Sequence, residues 1–439
     1  MKRFKKLLTF FVLIAIVLSF AGCDSAGGGL SDELSGYAPS YTGEKAMDGE
    51  LSGESSEKNG STATDEDAEE KTDDKQQQSG LMTAAAWNDN QYYSAWKELF
   101  FKGQTETENG KFLSFFENND WGFLTTKRVA VTVKNGENVV AGATVTYFDE
   151  AQKEYAAKTD SAGIAYLFPS ADAGTVTVAV GETVKTADFT AGIRDLTVDI
   201  GADNQKAQVI KLMFVIDVTG SMGDELEYLK NELADVIGRV ASANNGVRID
   251  LAMLFYRDNG DTEKFSYADF TDVTEAQGLS EQQQKLNAQR ALGGGDYPEA
   301  VDEALALAMS KDWGDENSTK IIFHVLDAPA HNTADNKTTF YNAVALAAKK
   351  GIRICPVLCS GADSLCEYLV RNEAIVTGGT FTFVTDHSGI GYAHLDPDLP
   401  NVVIEKLNDM MVRLISGYYT GTFEDPVWFN AKPTQTEQQ

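Results

Sequence analysis

Residues 214–222, FVIDVTGSM, decide how the rest of the chain is read. An apolar strand ends in Asp217, and hydroxyls come next at Thr219 and Ser221 with Gly220 between them. Two chemistries use that order. An acid and two hydroxyls can gather around a divalent cation, which prefers oxygen ligands. The same acid can instead be the nucleophile of a phosphoryl transfer. Gly220 is expected to let the loop turn tightly.

Downstream, residues 208–420 alternate between buried-type strands (VIKLMFVID, VRIDLAMLFYRD, KIIFHVLDA, IRICPVL, TFTFVTD) and amphipathic helices. Strands that are apolar throughout and separated by helices predict a mostly parallel sheet covered on both faces. Ligands of such sheets bind beyond the carboxyl ends of the strands, near the switch in strand order. Three acids are expected at that edge: Asp217, Asp327 in HVLDAPAH, and Asp296 in GGGDYPEA before a helix. Together with Thr219 and Ser221 they form a candidate site for Mg²⁺, with Mn²⁺ or Ca²⁺ as alternatives. The hydroxyls can coordinate directly, while Asp217 and Asp327 accept from bound waters. Asp296 can also be read as the amino-terminal cap of the next helix.

The word DVTGS resembles the D-x-[ST]-x-S of the von Willebrand factor type A domain. FYRDNGD, GGGDYPEAV and the LDAPAH loop extend the resemblance over residues 208–420. It implies a Rossmann-like, doubly wound α/β fold with a metal-ion-dependent adhesion site, where a protein partner's Asp or Glu completes the metal shell. By motif position Asp217, Thr219 and Ser221 come from the first loop and Asp327 from the third. Asp296 stands where the family usually has Thr, and an anion there strengthens bare metal binding while weakening the metal's pull on a partner's carboxylate. DVTGS also resembles the D-K-T-G-T of haloacid-dehalogenase-like ATPases. That reading wants Lys where Val218 stands and a later G-D-G-x-x-N-D loop that is not in the chain. No G-x-S-x-G elbow is present. His324, His331, His387 and His394 make no spaced ligand set; His324 reads as a core residue, and RDNGDTEK as a polar hairpin turn.

The start of the chain is cationic (MKRFKK), then apolar (LLTFFVLIAIVLSF), then AGC. This resembles a bacterial lipoprotein leader over residues 1–22, with lipid on Cys23, and implies an exported protein anchored to the cell membrane and facing outward, in the periplasm or outside the cell. Residues 23–80 are expected to be a disordered acidic tether, since residues 24–80 hold 15 acids against 4 lysines and few large apolar side chains. Residues 81–126 read as an aromatic-rich collar, helical or irregular, packed on the domains after it. Residues 127–201 read as a small all-β sandwich of seven strands split by turns such as Asn135-Gly136. VAGATVTYFD and KTDSAGIAYLF resemble prealbumin-like or carboxypeptidase-regulatory-like modules, which implies a spacer or binding unit that helps present the α/β domain. Residues 421–439 are a tail.

The formal charge of −29 removes nucleic acid as a partner, because phosphate binding needs clustered Lys and Arg. With Cys23 lipidated, Cys355, Cys359 and Cys366 remain, and Cys359 with Cys366 is the candidate disulfide; buried thiols are the alternative. The expected function is a non-enzymatic surface lipoprotein that binds a protein through a divalent metal. An envelope assembly component whose metal only orders loops is the alternative, ahead of a metal-dependent hydrolase.

Overall fold

The computed structural model describes residues 82–430, apart from 103–107, 118–120, 124, 315–317, 389–398 and 400–401. The leader, Cys23 and the acidic segment through residue 80 lie outside the described residues, as does the tail beyond residue 430.

An eight-stranded sheet dominates the α/β unit. Its order is Phe265–Asp272, Arg248–Tyr256, Val209–Asp217, Ser318–Leu326, Ile352–Leu358, Phe381–Thr385, Thr83–Trp87 and Glu405–Lys406. The five strands from Arg248–Tyr256 to Phe381–Thr385 are mutually parallel. Strand Val209–Asp217 is apolar from Leu212 to Ile216 because both of its faces are covered. Met213 and Val215 join one core with the helices Val301–Met309, Ala334–Lys350 and Ser364–Thr377. Ile210, Leu212, Phe214 and Ile216 join the other with Gly223–Ala243 and Leu407–Thr420. Helix Gly223–Ala243 shows the matching stripe: Leu226, Leu229, Leu233, Val236, Ile237 and Val240 are buried. Each such side chain contributes about 1.5–3 kcal/mol by leaving water.

The collar is more than a collar. Thr83–Trp87 is a strand of the sheet itself, antiparallel to Phe381–Thr385 on one side and to Glu405–Lys406 on the other. The α/β unit therefore begins at Thr83 rather than at 208, and the sandwich is looped out between its first two strands. The rest of the collar docks on helices Ser364–Thr377 and Ala334–Lys350. Arg371 holds Asp89 through two bonds of 3.0 and 2.5 Å and Glu367 through one of 3.0 Å, and Lys111 reaches Glu367 at 2.9 Å. Trp96 and Phe112 pack over the Arg371 guanidinium.

The sandwich pairs one four-stranded sheet (Thr183–Phe189, Gly174–Val180, Thr144–Phe148, Glu154–Lys158) with another built on Val129–Asn135, flanked by Asp195–Asp199, Asn138–Val139 and Ile164–Leu167. Alternate residues such as Val129, Val131, Val133 and Val176, Val178 fill the space between them. There are eight strands here rather than seven, because Asn138–Val139 and Thr144–Phe148 are separate strands with Gly142, at φ +72°, between them. The sandwich touches the α/β unit through Lys349–Glu154 (2.6 Å) and the bond from Arg353 to the Lys158 carbonyl (2.7 Å).

Candidate metal centre

The switch in strand order falls between Val209–Asp217 and Ser318–Leu326. Ile216 sits opposite Val325, so Asp217 and Asp327 leave adjacent strands at nearly the same height. Asp217 is fully buried and Asp327 is 4% exposed. The Thr219 amide and hydroxyl both donate to Asp217 Oδ1, at 2.8 and 2.7 Å. Asp217 Oδ2 is buried with no hydrogen-bond partner. Ser221 is exposed and hydrogen-bonded to Asp327. The first and third loops are thus brought together as their spacing predicts.

Gly220 acts differently from expectation. Its φ is not left-handed, and the loop continues into a 3₁₀ turn over Gly220–Met222. Its amide donates to the Gly293 carbonyl at 3.2 Å, and an added Cβ would stand 3.4 Å from that oxygen. That is an ordinary contact distance, so neither a left-handed backbone nor crowding requires glycine at 220.

Asp296 is the main correction. It is exposed and makes no hydrogen bond or ion pair among the described residues. It does not cap the next helix either, which starts at Val301 with Ala300 at the N-cap. Glu299, three residues on, takes the buried place. It is 4% exposed, its amide donates to the Pro329 carbonyl at 3.0 Å, and its Oε2 has no partner. Gly294 (φ +71°) squeezes between it and the first loop. A Cβ there would lie 2.9 Å from Glu299 Oε1 and 3.3 Å from Thr219 Cβ.

More acids line this edge than the motifs indicate. Glu225, in the first turn of Gly223–Ala243, accepts from the Ser360 amide (3.2 Å) and hydroxyl (2.7 Å) and leaves Oε2 unpartnered. Asp258, in the turn read as a plain hairpin, is 4% exposed and meets His331 Nε2 at 2.6 Å. Asp261 accepts from the Asp258 and Gly294 amides. Tyr297 ties the loops together, donating to the Asp327 carbonyl (3.3 Å) and accepting from the Asp363 amide (2.7 Å).

Burial, and after it neighbouring charge, raises Asp217, Asp327 and Glu299. Burial first, then the charge of Asp327, pushes Asp217 up to about 7, against the bonds from Thr219. Burial pushes Asp327 up to about 6. Glu299 rises to about 9, through burial and then Asp217, Asp258 and Asp327. Among the described residues none of Asp217, Asp327, Glu299 or Glu225 is in an ion pair. Nor do any three acidic, His or Cys side chains there stand close enough to hold a metal by themselves. The Thr219 and Ser221 hydroxyls are needed to complete a donor set. Hard oxygens around an unpartnered buried carboxylate atom fit a hard cation.

Elsewhere, His324 is a core residue, bonded to Glu373 (2.9 Å) and Tyr256 (3.3 Å). Cys355, Cys359 and Cys366 are buried free thiols. Cys359 and Cys366 are close in sequence but belong to different hydrophobic cores, on opposite faces of the sheet, so the expected disulfide does not form.

Residues 211–374 match the family model of the von Willebrand factor A domain. The alpha-protein kinase vwkA of Dictyostelium discoideum is 28% identical over 128 residues, which are 29% of this chain and 20% of that protein. Among solved structures, a von Willebrand factor type A protein from Catenulispora acidiphila is similar at 12% identity and a TM-score of 0.34, covering 57% of this chain and 46% of that one. The open conformation of the pilus adhesin SpaC from Lactobacillus rhamnosus GG is similar at 10% identity and a TM-score of 0.34, over 57% of this chain and 32% of that one. The sheet order and the switch-point loops give the α/β unit a fold like that of the von Willebrand factor A domain, whose family model residues 211–374 match.

Proposed function

We propose that the A domain binds a divalent cation, Mg²⁺ by preference, through Asp217, Thr219, Ser221 and Asp327, with Glu299 in support, and through it a protein partner. The observation that carries this is Asp217 Oδ2, a carboxylate oxygen buried at a loop junction with no hydrogen-bond partner and no cationic side chain paired with it among the described residues. Leaving such an atom unsatisfied is costly, and a bound cation would supply its missing interaction. The cation would also offer a coordination position to a carboxylate of the partner. Raised to about 9, Glu299 carries its proton at neutral pH until a cation arrives. A bound cation would displace that proton, so Glu299 would then stand beside the metal as a further anion.

Binding, not turnover, is the role proposed. The leader-like residues 1–22 and Cys23 support an exported, lipid-anchored protein that displays this site outside the membrane. In a second reading the metal only orders the loops, which the burial of Asp217 and the Tyr297 bridge favour. Calorimetric titration of Mg²⁺ and Mn²⁺ into the wild type and Asp217→Ala tests the site. Saturable heat lost in the variant is expected, and equal heat in both would refute it. Partner capture that survives EDTA would leave only the second reading.

A further inference from the structure

The turn over residues 257–261 joins strand Arg248–Tyr256 to the antiparallel strand Phe265–Asp272. Tyr256 lies beside Asp217 in the parallel pair, so the turn leaves the sheet at the rim of the metal centre. The hairpin needs little to close. The Arg257 amide donates to the Lys264 carbonyl at 2.9 Å, and Gly260, at φ +95°, makes the bend. Yet each of the turn's three charged side chains also reaches a loop of the metal centre.

Arg257 grips the second loop. Its Nε donates to the Leu292 carbonyl at 2.9 Å and its Nη2 to the Arg290 carbonyl at 3.0 Å. Asp261 grips the same loop further on. Its Oδ2 accepts from the Gly294 amide at 3.0 Å, and a Cβ on Gly293 would stand 2.5 and 2.6 Å from its two oxygens. Glycine at 293 is therefore required twice, by its φ of +85° and by this carboxyl. Asp258 reaches the third loop, where its Oδ1 stands 2.6 Å from His331 Nε2.

The second loop passes these constraints on. The Leu292 amide donates to the Val218 carbonyl at 3.0 Å, and the Gly293 carbonyl accepts from Gly220 at 3.2 Å. The Glu299 amide closes the ring on the Pro329 carbonyl of the third loop. The loops that carry Asp217, Thr219, Ser221 and Asp327 are thus fixed at both sides by bonds that trace back to one turn.

We propose that this turn is the selectivity clamp of the metal centre. Through Arg257, Asp258 and Asp261, as positioning residues, it holds the loops at the spacing that favours Mg²⁺ over Ca²⁺, with the Asp258–His331 pair as its latch. The proposal rests on the cation reading above. Mg²⁺ demands near-ideal octahedral oxygens at roughly 2.0–2.1 Å, whereas Ca²⁺ accepts irregular shells at roughly 2.3–2.6 Å. Loosened loops therefore cost Mg²⁺ more than Ca²⁺.

The test measures Mg²⁺ and Ca²⁺ affinities of the full chain by calorimetry, in the wild type, His331→Ala and His331→Gln. The His331 side chain is 20% exposed, and a melting curve of each metal-free variant checks that it folds. His331→Ala should weaken Mg²⁺ binding about tenfold, as loss of an outer partner does, and Ca²⁺ binding by less. His331→Gln, whose amide can donate to Asp258, should recover much of the wild-type ratio. A general loss of structure would lower both affinities together. Asp261→Ala gives a reading without metal: hydrogen exchange in peptides over residues 218–222 and 290–296 should quicken together. An unchanged Mg²⁺-to-Ca²⁺ ratio in folded His331→Ala, or unchanged exchange in Asp261→Ala, would overturn the clamp and leave the cation site standing. Absence of saturable Mg²⁺ binding by the wild type would overturn the cation reading, and the clamp with it.

Discussion

Two groups of buried acids sit in the same α/β unit and differ in how their charge is met. Asp89 and Glu367 share Arg371, with Lys111 behind. Asp217, Asp327, Glu299 and Glu225 share no cationic side chain among the described residues, and three of their oxygens are orphaned. The first group neutralises itself and fixes the collar to a helix. The second has no internal counter-charge, as the proposed cation site requires. Burial alone therefore does not mark a functional acid; burial without an internal counter-charge makes it a candidate.

The sharpest way to break this comparison is to remove a charge from each group. Arg371→Met strands Asp89 and Glu367 and should cost roughly 3–5 kcal/mol in denaturant unfolding. Asp217→Asn should leave metal-free stability unchanged or raised, because it removes a repelled anion. Equal destabilisation by both would erase the distinction.

The pH dependence comes next. The folded values of Asp217, Asp327 and Glu299 are raised, so their contribution to stability is full below about pH 4 and lost as pH climbs through about 6 to 9. Metal-free melts should lose stability steadily across that window. Saturating Mg²⁺ should flatten the fall, and a slope that Mg²⁺ leaves untouched would count against the site.

A smaller effect separates the two candidates of the second loop. Glu299→Gln should weaken Mg²⁺ binding about tenfold, the lower end for a supporting group. Asp296→Asn should leave Mg²⁺ affinity as it is and shift stability within about ±0.5 kcal/mol. The reverse ranking would restore Asp296 to the site.

Asp217 and Asp327 were legible because a doubly covered parallel strand must be apolar until it ends, and the residue where it ends is at the ligand edge. Glu299 was not. GGGDYPEA offers two acids, and the choice between them depends on Gly293 and Gly294 in left-handed conformations that fold the loop back on itself. A usable signal was there: Glu299 directly precedes the buried run Ala300-Val301, whereas Asp296 comes after three glycines. The strand Thr83–Trp87 was hidden for another reason. TAAAW has little strand propensity, and its partners lie about 300 residues away, so only tertiary pairing defines it. Cys359 and Cys366 misled because sequence proximity does not reveal which side of a sheet a residue faces.

The pairing of Thr83 with Thr385 has a mechanical consequence. Thr385 ends a strand parallel to the one that ends in Asp217, so the chain enters the sheet at the same rim that holds the acidic loops. A pull on the chain before Met82, resisted at those loops, would load that rim strand by strand and leave the sandwich slack. The looped-out module would then feel the position of its neighbour but not the tension.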